Sequence, residues 1–319
     1  MSRYSLNFKL ALAALVSNVI VILQGALVRA TGSGAGCGQH WPTCNGTIVP
    51  LAPSIETLIE FSHRLLSLTV LILGVVLVWQ AFRSRQQQKA FFIFALTSFI
   101  FLIFEALLGA ATVLFGLTGD HVSTARGIMV ATHMVNSLLL MGSLSLTFFY
   151  SFNNPWPLKI AKQGSLATVL ALGIMGMLFL MFSGGIAAMG NTMFPSESLQ
   201  QGIAADFNPE SHLLIRLRIL HPLIAITVGI YLFVSLGLSW WLKPVQAAKR
   251  LTQSLFIAYL IQIMLGTLNL AFLAPTVLQV LHLAMAIVTF SLLSVLSATA
   301  LGSERDARSL HYHSQESRI

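Results

Sequence analysis

Eight long apolar runs constrain this chain of 319 residues more than any other feature. They cover residues 8–29, 57–82, 90–116, 126–150, 165–188, 213–241, 251–272 and 276–301. A helix needs about 20 apolar residues to cross the hydrocarbon of a bilayer. Inside lipid, only helices and closed barrels satisfy their own backbone groups. Each run is long enough, and 9% of the residues are charged, against roughly 25% in an ordinary soluble domain. The sequence therefore predicts an all-α integral membrane protein with eight transmembrane helices. It excludes a soluble enzyme, a nucleic-acid binder and a disordered chain. The first run follows Arg3 and Lys9 as a signal peptide would. It is too long for such a segment, and no small-residue cleavage site precedes the polar loop.

The net charge of +8 is explained by where the bases lie. Thirteen of the eighteen Lys and Arg, every lysine among them, fall in the tails and in the loops after runs 2, 4 and 6. By the positive-inside bias, both termini are expected in the cytoplasm. The two long outer loops are then about 30–56 and 189–212.

The halves of the chain resemble each other. His63-Arg-Leu-Leu-Ser-Leu-Thr-Val aligns with His221-Pro-Leu-Ile-Ala-Ile-Thr-Val, Leu108-Gly-Ala-Ala with Leu265-Gly-Thr-Leu, and His133 with His282. This predicts a duplication: a four-helix bundle over 1–160, then a second over 161–319 with a short cytoplasmic tail. Four spans per unit is an even number, so the pseudo-two-fold axis runs along the membrane normal.

Of nine histidines, only His63, His133, His221 and His282 lie inside runs, all on even-numbered ones. Each is roughly 9–14 Å along its helix from the outer end, at 1.5 Å per residue. Ionisable groups at such depth are costly and mark function. Two facing imidazoles in a bundle core make an axial pair for haem iron. The alternative is a histidine that hydrogen-bonds a neighbouring helix. Repetition in pairs at one depth favours ligation: His63 with His133, His221 with His282. A zinc or copper site would want three or four ligands where each half offers two histidines.

Arg29, Arg64, Arg126, Arg216 and Arg218 disobey the inside bias and sit at the outer ends of runs. They are candidates for haem propionates, which suit the bidentate guanidinium. Snorkelling to headgroups is the alternative. Glu60 precedes His63 by three residues, on the same helix face. It is either a catalytic carboxylate that accepts protons or stabilises positive charge, or the partner of Arg64. Its equivalent in the second half is Arg218, which suggests that one haem is substrate and the other a fixed cofactor. Glu105 lies within run 3, and the sequence suggests no partner for it. The first outer loop holds Cys37 and Cys44 among five glycines, in a region where a disulfide can persist. A static staple and a cycling dithiol both remain open.

Together these features resemble the haem A synthase family. The resemblance rests on Gly32-Ser-Gly followed by Cys37, Trp41-Pro and Cys44, on Glu60-Phe-Ser-His63-Arg64, on the single His of runs 4, 6 and 8, and on Gly190-Asn-Thr-Met-Phe-Pro. It covers nearly the whole chain, in the branch with a cysteine pair in the first outer loop. A second pair, carried by some relatives in the third outer loop, is missing. The resemblance implies haem O as substrate, its C8 methyl oxidised to a formyl group through hydroxylated intermediates to give haem A. It implies Glu60 as the catalytic carboxylate, His63 and His133 as ligands of the substrate haem, and His221 and His282 as ligands of a resident haem b that passes electrons. It also implies a haem O synthase (protohaem farnesyltransferase) as partner. A bacterial cytoplasmic membrane suits a chain that shows no transit peptide, and lipid surrounds it there; a homo-oligomer is compatible. An iron with two His ligands has no open position for oxygen, so electron removal from the porphyrin edge followed by water addition is the expected course. The rivals are a quinone-linked di-haem b carrier, which would have no use for Glu60, and a transporter built from two repeats. Transporter sites use broken helices near the midplane, and only Pro222 beside His221 hints at a break.

Overall fold

The computed structural model describes residues 5–152, 164–242 and 246–316. The expected boundary at 160/161 lies outside the described residues, as do Lys159 and Lys162. The elements are α1 (Leu6–Ala30), α2 (Ile55–Arg83), α3 (Lys89–Leu114), α4 (Thr124–Tyr150), α5 (Ser165–Met193), α6 (Leu199–Phe207), α7 (Leu213–Arg216), α8 (Leu220–Leu242), α9 (Gln246–Ala271) and α10 (Thr276–Glu316). Eight spans are long and apolar enough to cross a membrane, with α7 and α8 contributing to one of them. Among the described residues there is no strand. The protein is an all-helical, multi-pass membrane protein. Serine caps several of these starts: Ser5, Ser54 and Ser123 accept from the amides of Phe8, Thr57 and Arg126, satisfying donors that the first turn leaves free.

Packing is cyclic within each half. α1 packs on α2, α2 on α3, α3 on α4 and α4 back on α1; α5, α8, α9 and α10 pack in the same order. The halves meet where α4 touches α5 and α10, and where α1 touches α10. Glycines bring them close. A Cβ at Gly185 would lie 2.6 Å from Ala131 Cα, and one at Gly142 would lie 2.7 Å from the Phe290 ring. Accordingly α4 and α10 are the most buried spans, and α4 has the lowest mean hydropathy of the eight. A helix facing protein tolerates polar residues, and α4 buries Asn136, Ser137, Ser143, Ser145 and Thr147. Asn7 of α1 joins Ser84 and Gln88 at the far end of α2, at 3.1 and 2.6 Å.

Three features depart from the sequence reading. The run over 213–241 is broken at 217–219, between α7 and α8. Pro222 lacks an N–H and crowds the carbonyl four residues back, so His221 N–H bonds Arg218 O in a tighter turn at 3.2 Å. The break falls beside His221 and leaves the rest of the span continuous. The loop after α5 contains α6, capped by Ser198 on the amide of Gln201. It is too short and polar to register as an apolar run. Finally, α10 continues to Glu316, well past the expected end at 301. Glu304, Arg305, Ala307 and Arg308 are good helix formers, though not apolar.

Candidate functional site

The four intramembrane histidines share one local arrangement. Each is half-buried and lies against a glycine of the preceding span. A Cβ at Gly25 would stand 3.1 Å from the His63 ring, at Gly109 3.6 Å from His133, at Gly184 2.9 Å from His221, and at Gly266 2.9 Å from His282. Real Cβ contacts almost never fall below 3.0 Å, so at Gly184 and Gly266 glycine is what lets the ring lie flush against the helix backbone; at Gly25 a Cβ would be tight, and at Gly109 it would make an ordinary contact. In the second half the His221 and His282 rings stand edge to face, 6.2 Å between centroids. Ser183 Oγ holds His221 Nδ1 at 3.1 Å. Gln262 Nε2 lies 3.2 Å from His282 Nε2. In the first half His133 Nε2 lies 3.2 Å from Glu105 Oε1. Nδ1 of His63 and Nδ1 of His282 are buried without a hydrogen-bond partner. A buried polar atom left so costs about 1–3 kcal/mol and calls for an explanation. Among the described residues no three His, Cys, Asp or Glu side chains converge on one point.

Glu60 is buried with 4% of its surface exposed. Its Oε2 accepts the Cys37 amide at 2.8 Å. Its Oε1 accepts Arg64 Nε at 3.1 Å and a second, shorter contact from the same guanidinium. Arg64 Nη1 donates to the carbonyls of His40 and Thr43, each at 2.6 Å. Cys37 and Cys44 form a disulfide, with 4.4 Å between their Cα atoms, and both are buried. The ring closed by the disulfide is thus clamped onto α2 by the Glu60–Arg64 pair. A Cβ at Gly36 would collide with the Glu56 backbone at 2.5 Å, so the loop lies directly on α2. Closing an eight-residue ring restricts the unfolded chain, and its loss costs about 2–3 kcal/mol in the loop-entropy account. Cys37→Ser is accordingly expected to lower the thermal midpoint of the detergent-solubilised protein, and reduction of the wild type to lower it similarly.

The five arginines at span ends have distinct surroundings. Arg29 donates to Thr192 Oγ1 at 2.8 Å and to Gln279 Oε1 at 2.7 Å, so it ties α1 to both α5 and α10. Arg126 holds the carbonyls of Gly119 and His121 at 2.6 and 3.0 Å. Arg218 pairs with Asp206 at 2.7 Å and donates to Asn191 Oδ1 at 2.9 Å. Arg216 is exposed. Arg218 therefore clamps α6 and the Gly190-Asn191 segment just as Glu60 clamps the first loop. Both positions stand three residues before a histidine, with opposite charges. Hydrogen bonds from a charged group contribute about 1.5–3 kcal/mol each. Arg29→Ala, which removes two such bonds, is thus expected to destabilise the joint between halves by about 3–6 kcal/mol, read as a lower thermal midpoint.

Glu105, left without a partner by the sequence reading, accepts Asn136 Nδ2 at 2.5 Å and a short hydrogen bond from Ser137 Oγ, besides touching His133. The sequence did hold the signal. Glu105 stands four residues before Gly109, and Gln262 four before Gly266; extending the Leu-Gly alignment by one turn superposes them. Gly109 and Gly266 entered the sequence reading only through that alignment, and Gly25 and Gly184 not at all; nothing in an apolar run marks a glycine as facing a histidine.

The family model described as "Cytochrome oxidase assembly protein", COX15-CtaA, matches residues 8–294. A protoheme IX farnesyltransferase of Thermus thermophilus is 41% identical over 299 residues, 93% of this chain and 48% of that protein. A heme A synthase of Halalkalibacterium halodurans is 36% identical over 157 residues, 49% of this chain and 51% of its own. A heme A synthase of Shouchella clausii is 39% identical over 142 residues, 44% of each chain. This chain spans about half the length of the curated relatives it matches. On the match over residues 8–294, the chain belongs to the COX15-CtaA family of cytochrome oxidase assembly proteins.

Proposed function

We propose that this chain is a haem A synthase, an oxidoreductase that converts the C8 methyl of haem O to a formyl group through hydroxylated intermediates. The observation that carries the reading is the fourfold pairing of an intramembrane histidine with a facing glycine, twice in each half. The residues suit a haem held between two imidazoles. The His221 and His282 ring centroids are 6.2 Å apart, and Nδ1 of His63 and of His282 is buried with no hydrogen-bond partner in the protein, so these imidazoles have bonding capacity that a bound group could use.

In this reading the chain is two tandem four-helix bundles related by duplication, with both termini in the cytoplasm of a bacterium. The cyclic packing in each half supports it. His221 and His282 hold haem b, which when bound supplies electron transfer. His63 and His133 hold the substrate haem. Glu60 is the catalytic carboxylate. Its burial beside His63 lets a negative charge act without screening by water, and Arg64 and the Cys37 amide fix its position. A farnesylated porphyrin is lipid-soluble and enters between helices from the bilayer. The haem O synthase is the proposed partner. It is supported by the relative named protoheme IX farnesyltransferase, of which about half matches this chain.

The test is pigment extraction after expression with a source of haem O. Haem A in the extract is expected. Two haems recovered unchanged would favour a di-haem electron carrier instead.

A further inference from the structure

The two halves treat their last histidine differently. In the first, Glu105 Oε1 lies 3.2 Å from His133 Nε2. Asn136 and Ser137 both donate to that carboxylate, and Asn136 Nδ2 also bonds Phe101 O at 2.9 Å, which fixes it on α3. In the second half the matching group is an amide: Gln262 Nε2 lies 3.2 Å from His282 Nε2. The residues three and four after His282 are Met285 and Ala286, where the first half has Asn136 and Ser137. Gln262 Oε1 is buried with no hydrogen-bond partner. Three positions thus change together: a carboxylate with two supporting donors on one side, and a neutral amide without them on the other.

A carboxylate that accepts from one ring nitrogen fixes the imidazole's orientation and makes the other nitrogen a stronger donor to a metal. A neutral amide does this far less. A half-buried carboxylate in a membrane bundle is costly unless paired, and its partners here converge on a histidine. We infer that Glu105 is a positioning residue that orients His133 and strengthens it as an iron ligand, so that iron held in the first half is easier to oxidise than iron held in the second. This rests on the haem-binding reading given above. It adds Glu105 against Gln262, with the neighbouring exchanges at Asn136 and Ser137, to Glu60 against Arg218 as a difference between the two halves.

The experiment is a redox titration of the purified chain loaded with iron protoporphyrin IX, as wild type, Glu105→Gln, Glu105→Asp, Gln262→Glu and His133→Ala. The titration step lost in His133→Ala belongs to the first half. Glu105→Gln is expected to raise the potential of that step alone and to weaken its haem affinity about 10- to 100-fold. Glu105→Asp should restore part of both. Gln262→Glu is expected to lower the potential of the other step. If Glu105→Gln and Gln262→Glu leave both potentials where they were, with at most a loss of thermal stability, Glu105 is only a structural partner and the inference is overturned. If wild type and His133→Ala take up the same haem, the haem-binding reading itself fails, a result distinct from unchanged potentials in a protein that binds both haems.

Discussion

Glu60→Gln is expected to slow conversion of haem O about 10²–10⁴-fold while leaving haem content near that of the wild type. The magnitude is typical of removing a positioned acid or base. Glutamine keeps an oxygen to accept the Cys37 amide, which Glu60 Oε2 now accepts at 2.8 Å, so the first loop stays seated on α2. What it loses is the charge and, with it, the ion pair to Arg64, whose guanidinium then faces the amide NH2. Glu60→Ala would confound this further, since it also orphans the Cys37 amide. The structure gives Glu60 a clear structural task, so the two roles must be separated. If the clamp were its whole purpose, Glu60→Gln would turn over almost normally and show only reduced stability. Turnover per bound haem, measured by extracting haem A over time, separates the outcomes.

The second large effect is expected at the glycines. A Cβ at Gly184 or Gly266 would stand 2.9 Å from the ring of His221 or His282, closer than real contacts allow. Valine at either site must push the imidazole off its seat. Displacing a ligand by about 1 Å is enough to lose much of a site's affinity, so Gly184→Val and Gly266→Val are each expected to purify with little haem in the second half. Gly237→Val is the control, because a Cβ there meets nothing within 4 Å. Equal haem in all three variants would mean that the glycines serve only helix packing.

The spans were legible because the bilayer demands so much of them. Lipid requires about 20 apolar residues per crossing, and α1 to α5 begin within a few residues of the runs that announce them. The C-terminal end of α10 and the short α6 were not legible, since neither is apolar. The Pro222 break was visible as a proline, but its position at the start of α8 depended on which carbonyl the ring crowds. The histidines and Glu60 could be singled out as polar residues in apolar surroundings. Their partners could not. Whether Glu60 meets Arg64, the loop or both depends on how Gly36 and the disulfide lay the first loop on α2. Likewise, the outer arginines were conspicuous by charge, yet Arg29 reaches Gln279, 250 positions along the chain. No spacing rule reports contacts of that range.

The account as a whole depends on imidazoles gripping haem in twos. The most direct measurement is the visible spectrum and pyridine haemochrome of the purified protein beside His221→Ala and His282→Ala. The prediction is a bis-imidazole haem spectrum in the wild type and loss of the same haem in both variants. A colourless wild type, or variants whose absorption is unchanged, would contradict it.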